Sequence, residues 1–358
     1  MRVRRATIAT ILSCVAAAAG DPFRLERRVV VDLGEERMAG VAFDGNVAAT
    51  WGDRIRFWTL PDFRSRTLPV KPPILADGGC LLDVDRDGQL DLIANESAGR
   101  HALVWFSAID GQRHEIDHGI EAHEILPATL FGRRGVLLVQ KRVQVRFYEV
   151  PARPNAAWAE RDIYSFYSAS DQGGLLLADI DRDGRPDIVC GNYWIKAPEE
   201  FDLPWRLFAI RTWAEERLSA MTKVAWSDLF GTGIPNLVVS QCEMKGARVA
   251  WFERVADPKQ MWKESRLDGG LSLTKPHVLE VADFDGAGRP DILVIEYAGS
   301  SRVIVFQNEG EGKFIPLVAG KSVSVVGARI AGLNADRRPD LLIVERSAMA
   351  VWENHEVR

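Results

Sequence analysis

"DIDRDGRPDIVCGNYW", Asp179 to Trp194, places four aspartates within nine residues and then turns apolar. Asp179, Asp181, Asp183 and Asp187 stand at positions 1, 3, 5 and 9, with Gly184 at 6 and Arg185 at 7. Alternating carboxylates on a tight turn point oxygens at one hard cation; position 7 adds a carbonyl, and glycine allows the bend. The apolar residues after Asp187 read as a short strand rather than a helix, which argues against an EF-hand. The stretch decides the fold because it recurs.

"CLLDVDRDGQLDLIANE" from Cys80 repeats it intact, with Asp83, Asp85, Asp87, Gln89 and Asp91 in the same frame. "VLEVADFDGAGRPDILVIEY" from Val278 keeps Asp283, Asp285 and Asp291 but has Ala287 at position 5, which predicts weaker binding there. "KVAWSDLFGTGIPNLVVSQCE" from Lys223 and "ARIAGLNADRRPDLLIVER" from Ala328 are more degraded, and "ILPATLFGRRGVLLVQK" from Ile125 and "GVAFDGNVAATWG" from Gly40 more still. Seven copies at roughly 40–55-residue spacing fall in the range of propeller blades.

Each copy runs apolar strand, tight loop, apolar strand, an often aromatic strand such as "ALVWFS" or "RVAWFERV", then a polar strand. Four short strands per unit describe one blade. The last copy stops after its third strand, while "FRLERRVVVDLG", Phe23 to Gly34, is a lone strand before the first. The expected fold is therefore all-β: a seven-bladed β-propeller of four-stranded blades, closed by the N-terminal strand completing the last blade. Closure removes two exposed sheet edges. Residues 21–358 are expected to form this one domain.

Residues 1–20 read as a signal peptide: Arg2, Arg4 and Arg5, a short apolar run, then small residues. Export to the periplasm or beyond is expected. Lipid anchoring at Cys14 is disfavoured because the apolar run is very short and Leu12 is unusual before such a cysteine. Without this segment the formal charge moves from −5 to −8, which argues against nucleic acid and anionic membrane as partners. Membrane insertion is not expected, and a monomer is. Cys80, Cys190 and Cys242 lie in apolar runs without metal-ligand spacing and read as buried thiols.

The repeats resemble the FG-GAP/VCBS family of calcium-loop propellers, represented in integrin α-chains and secreted bacterial proteins. The resemblance implies structural Ca2+ in the two intact loops and, more weakly, in the loop of copy six. It implies no particular activity, since this fold hosts many.

If the loops join strands one and two on one face, the start of strand one and the end of strand two share the opposite face. Strand-one starts give Asp77, His123, His277 and the neighbouring Asp171, Gln172 and Lys223. Strand-two ends give Glu96, Lys141, Arg142, Asn192, Tyr193, Trp194, Gln241, Glu243, Glu296, Tyr297, Glu345 and Arg346. Polar groups converging on a concave mouth form a candidate site. One reading is a secreted module binding carbohydrate or a protein ligand there, with Trp194, Tyr193 and Tyr297 as flat faces for a sugar ring.

The other is an enzyme. The chain is similar to the propeller part of aldos-2-ulose dehydratase-type proteins and to propeller polysaccharide lyases, which implies sugar β-elimination. His123 or His277 would take the proton or hold a second divalent metal, Lys223, Lys141 or Arg142 would steady the enolate, and Glu96 or Glu296 would assist. No G-x-S-x-G, P-loop, H-E-x-x-H or dinucleotide-binding signature is present.

Overall fold

Apolar runs of four to nine residues, broken by Gly- and Asp-bearing turns, cannot bury themselves as isolated hairpins; they need sheets stacked on sheets. A computed structural model of the chain describes residues 22–167, 173–211, 222–267, 269–334 and 336–357. The expected signal segment with Cys14, and Asp171 and Gln172, lie outside the described residues.

Seven four-stranded antiparallel sheets follow one another in chain order. Blade one is Met38–Asp44, Val47–Gly52, Arg56–Thr59 and Arg64–Thr67. The innermost strands of the next five are Leu75–Leu82, Ala122–Leu130, Leu175–Ala178, Thr222–Ser227 and Pro276–Ala282. Blade seven has three consecutive strands, Val325–Ala331, Asp340–Glu345 and Ala348–Glu356, and takes its outermost strand, Phe23–Asp32, from the other end of the chain. That strand pairs antiparallel with Ala348–Glu356, from Phe23 opposite Glu356 to Asp32 opposite Ala348. The N-terminal strand closes the ring, as the sequence implies.

The core lies between blades. Among the described residues seven apolar clusters form, one at each blade–blade interface. Trp51, Phe57, Leu92 and Phe106 join blades one and two, and Met38, Trp58, Leu342 and Val351 join blades seven and one. Second strands such as Asp91–Glu96 and Asp291–Glu296 are buried throughout because a neighbouring blade covers each face. This is why "LDLIAN" and "PDILVIE" are continuous apolar runs rather than alternating ones. Cys80, Cys190 and Cys242 are free, buried thiols.

Candidate functional site

Two sets of polar residues lie on the ring, and the ninth loop residue organises the first. Asp91 is fully buried; its Oδ2 accepts the Val84 N–H at 2.9 Å and its Oδ1 the Ala108 N–H at 2.8 Å. Asp187, Asp291 and Asp340 repeat this double acceptance with Ile180 and Ala197, Phe284 and Asn308, and Leu333 and Asn354. Asn236 keeps the first of the two bonds in blade five. The ninth residue therefore pins the hairpin corner to the third strand even where the other acids are lost.

Around it, three carboxylates converge to within 4.8 Å in blade two (Asp83, Asp85, Asp91), blade four (Asp179, Asp181, Asp187) and blade six (Asp283, Asp285, Asp291). Burial, with the adjacent aspartates adding, raises Asp91 and Asp291 to about 6 and Asp187 to about 7. One buried oxygen in each loop, on Asp83, Asp181 and Asp283, has no hydrogen-bond partner. Orphaned acceptors inside a like-charged cluster fit a bound cation. The fifth position stays outside each cluster: Asp87 and Asp183 accept the N–H groups of Gln89 and Arg185 instead. Ala287 therefore removes no converging carboxylate, and blade six brings together the same three loop positions as the intact copies.

The second set lies in the central channel. A cavity of about 340 Å³ is lined by the innermost strands of all seven blades and takes in Asp77, His123, Glu124, Lys223, His277 and Glu280. The starts of these strands carry register breaks in five blades: between Met38 and Gly40, Leu75 and Gly79, Ala122 and Ile125, Pro276 and Val278, and Val325 and Gly327. A bulge gives extra residues to one strand and re-aims their side chains. Asp77, the pair His123 and Glu124, His277 and Val326 fall inside these bulges, which is how they reach the lumen.

Within the channel the charges pair. His123 Nδ1 lies 3.3 Å from Asp77 Oδ1. Burial would raise the Asp77 carboxyl, but His123 and then Lys223 hold it below the usual carboxylate range. His277 Nε2 lies 2.8 Å from Glu243 Oε1, its ring stacked on Tyr297 at 4.7 Å, with Lys275 Nζ 3.4 Å from Glu243 Oε2. His277 first, then Lys275, keep Glu243 ionised against the opposing effect of burial. Lys223 Nζ donates to Glu124 Oε1 at 2.9 Å, and Glu124 Oε2 accepts the N–H groups of Gly174 and Leu175. One carboxylate thus ties blades three, four and five. Two glycines permit this approach: a Cβ on Gly78 would stand 1.9 Å from the His123 carbonyl oxygen, and one on Gly174 would stand 2.7 Å from the Thr222 carbonyl oxygen.

Strand-two ends behave differently. Strand two is second from the axis, so its end tucks beneath the turns. Glu96 pairs with Arg113 at 2.7 Å. Glu296, fully buried, takes a two-nitrogen contact from Arg302 and the Thr274 N–H. Glu345 binds Arg27 and Ser322. Trp194 is enclosed, its indole N–H donating to the Pro258 carbonyl, and Tyr193 packs on Phe166. Asn192 and Gln241 are buried, Gln241 accepting the Arg248 N–H. Lys141 and Arg142 form a left-handed turn, and Arg346 is exposed on the turn after blade seven's second strand. None of these residues lines the channel cavity. Of the strand-two set, Glu243 joins the site through His277 and Tyr297 stacks behind it.

Two channel acids escape the sequence reading. Glu124 occupies in copy three the position that Lys223 occupies in copy five, one residue after the strand-one starts compared, so the same alignment extended by one would have found it. Glu280 has no such signal. Burial raises it to about 7, with Arg329 opposing. The folded state then holds this proton up to about pH 7, whereas the unfolded chain releases it near 4.5, so stability falls as pH rises through that window. Glu280→Gln is expected to remove about 1–3 kcal/mol of that loss, the range allowing for water in the channel. Urea midpoints at pH 5 and pH 8 measure it; equal pH dependence in both proteins would contradict it.

An all-β ring of seven four-stranded blades, with acidic corners between first and second strands and a polar lumen, defines a repeat propeller. Residues 283–343, from blade six's loop through most of blade seven's second strand, match the model of the FG-GAP-like repeat. The chain is a seven-bladed β-propeller that carries an FG-GAP-like repeat across blades six and seven. Among solved structures it is similar to the gluconolactonase XC5397 of Xanthomonas campestris (15% identity, 99% of this chain and 100% of that one, TM-score 0.44). It is also similar to a chain of an S. cerevisiae complex of Dbp5 bound to Nup159, Gle1, IP6 and ADP (7% identity, 93% and 96% covered, TM-score 0.56). At 7% identity this second likeness concerns fold alone. No curated protein matches.

Proposed function

We propose that the protein is an exported, calcium-stabilised propeller that binds a carbohydrate at the mouth of its central channel. The observation that carries this reading is the convergence, through strand-one bulges on three blades, of Asp77, His123 and His277 on one cavity. A polar, partly charged concavity with an aromatic ring beside it suits a polyhydroxylated ligand. Calcium is the cation proposed for the three loops because every converging ligand is a carboxylate oxygen. It would neutralise the clusters and stiffen corners that are separate from the site. Export rests on the residue pattern of positions 1–20. A protein ligand at the same mouth is the other partner this reading admits.

A second reading, sugar β-elimination, is favoured by one feature: each channel histidine has a ring nitrogen close to a carboxylate, and at His123 the contact with Asp77 is a hydrogen bond of the kind that orients imidazole for proton transfer. Asp77 and Glu243 take the roles expected of Glu96 and Glu296, and Lys223 would steady an enolate oxygen. A second metal at the mouth has less support, since the three-ligand clusters among the described residues all lie in the loops.

Titration calorimetry of the wild-type protein and the His123→Ala/His277→Ala variant against neutral and uronate oligosaccharides tests the site. Affinity is expected to fall at least about tenfold, as when buried polar partners are lost. Unchanged binding by the folded variant would rule out the mouth as the site. Release of an unsaturated sugar by wild type, absent in the variant, would decide for elimination.

A further inference from the structure

The three acidic clusters are not electrostatically equal. Lys196 ends the third strand of blade four, Tyr193–Lys196, where the hairpin register, continued by one step, sets it opposite Asp187. Its Nζ donates to Asp181 Oδ2 and, at 2.5 Å, to Asp183 Oδ2. Arg185 Nη2 donates to the same Asp183 oxygen at 2.5 Å. Blade two has Ser107 at the position of Lys196, and blade six has Gln307, neither of them basic. Arg134 and Arg289, the arginines beside those two loops, donate to backbone carbonyls rather than to the acids. Among the described residues no ion pair is made by Asp83, Asp85, Asp87, Asp283 or Asp285.

We propose that Lys196 is a tethered cation competing with the divalent ion for the loop of blade four, so that this loop binds calcium more weakly than those of blades two and six. The inference rests on the reading that the loops take calcium, and it concerns how one of them does so. Asp181 belongs to the converging trio; its Oδ1 is unpartnered but its Oδ2 is held by Lys196, so an entering ion must share this carboxylate with the ammonium or displace it. Bonds between two charged groups are the strong class, and an ammonium left close by would repel a divalent cation. Release is opposed as well. The adjoining groove, about 410 Å³, already holds Arg206 and Lys259, with Glu199 as its one acid. The order of the loops is therefore not the one that a count of aspartates gives.

The test uses the full chain. With Asp83→Asn and Asp283→Asn disabling blades two and six, calcium affinity is measured by calorimetry with Lys196 present and with Lys196→Met. The methionine variant is expected to bind about tenfold tighter or more, the effect of losing one charge-assisted competitor, while Lys196→Arg stays weak. Equal affinity with and without Lys196, or weaker binding by the methionine variant, overturns the inference. A second measurement needs no variant: acetylation of Lys196 in the wild-type protein, followed by peptide mass spectrometry, is expected to speed up as calcium is added. A rate that stays flat or slows also overturns it. Absence of any calcium binding to the wild-type chain would instead defeat the loop reading itself.

Discussion

Removing residues 22–33 is expected to convert the protein into an aggregating species with no cooperative melting transition. Phe23–Asp32 supplies the fourth strand of blade seven, and Phe23 and Leu25 are buried in the cluster between blades six and seven. Losing two large apolar side chains costs about 3–6 kcal/mol. The ladder to Ala348–Glu356 and the partly buried Arg27–Glu345 pair go with them. The sum approaches the whole stability of an ordinary domain, about 5–15 kcal/mol. The truncated chain also offers Ala348–Glu356 as an open edge, which templates pairing between molecules. Soluble yield, light scattering and thermal melting report the outcome. Attaching the same residues behind position 357 through a short linker should restore a melting, soluble ring. A truncated chain that stays monomeric with an unchanged melting temperature would contradict the closure.

The second large effect is expected at the ninth loop position. Asp91→Ala leaves the buried N–H groups of Val84 and Ala108 without an acceptor, at about 1–3 kcal/mol each. The expected loss is about 2–5 kcal/mol, measured by urea unfolding in chelator so that no ion contributes. Asp91→Asn, which keeps one acceptor oxygen, should lose about half as much. Asp85→Ala is the contrast: in chelator it should cost little, because it relieves repulsion within the cluster, whereas the stabilisation proposed for calcium should shrink. If Asp91→Ala costs no more than Asp85→Ala under chelation, the corner-pinning role is wrong.

The blades were legible in the sequence because one loop grammar repeats, and period and turn chemistry survive even where ligands have decayed. Lone "FRLERRVVVDLG" and the unfinished last copy pointed to the closure for the same reason. The channel was half legible. Counting back from each loop found Asp77, His123 and His277, since that count follows the chain along a single strand. It could not anticipate the bulges, whose extra residues leave no mark in composition. Strand-two ends misled, as polarity says that a residue needs a partner without saying whether that partner is a ligand. Arg113, Arg302 and Arg27 are the partners for Glu96, Glu296 and Glu345, and each lies far along the chain or across a turn. Lys196 was equally hidden, because its proximity to Asp181 depends on the third strand folding back beside the corner.

The strand-one bulges uncouple the lumen from the sheets that surround it. A bulged residue is out of step with the pairing of its neighbours, so the strand ladder does not fix its identity. His277 in blade six and Val326 in blade seven hold the same place with unlike chemistry, and the strands below them align with their partners all the same. At Asp77, His123 and His277 the lumen lining can therefore change while strand pairing holds, whereas Glu124, which ties three blades, and Val326, packed against the core between blades seven and one, also serve the wheel itself.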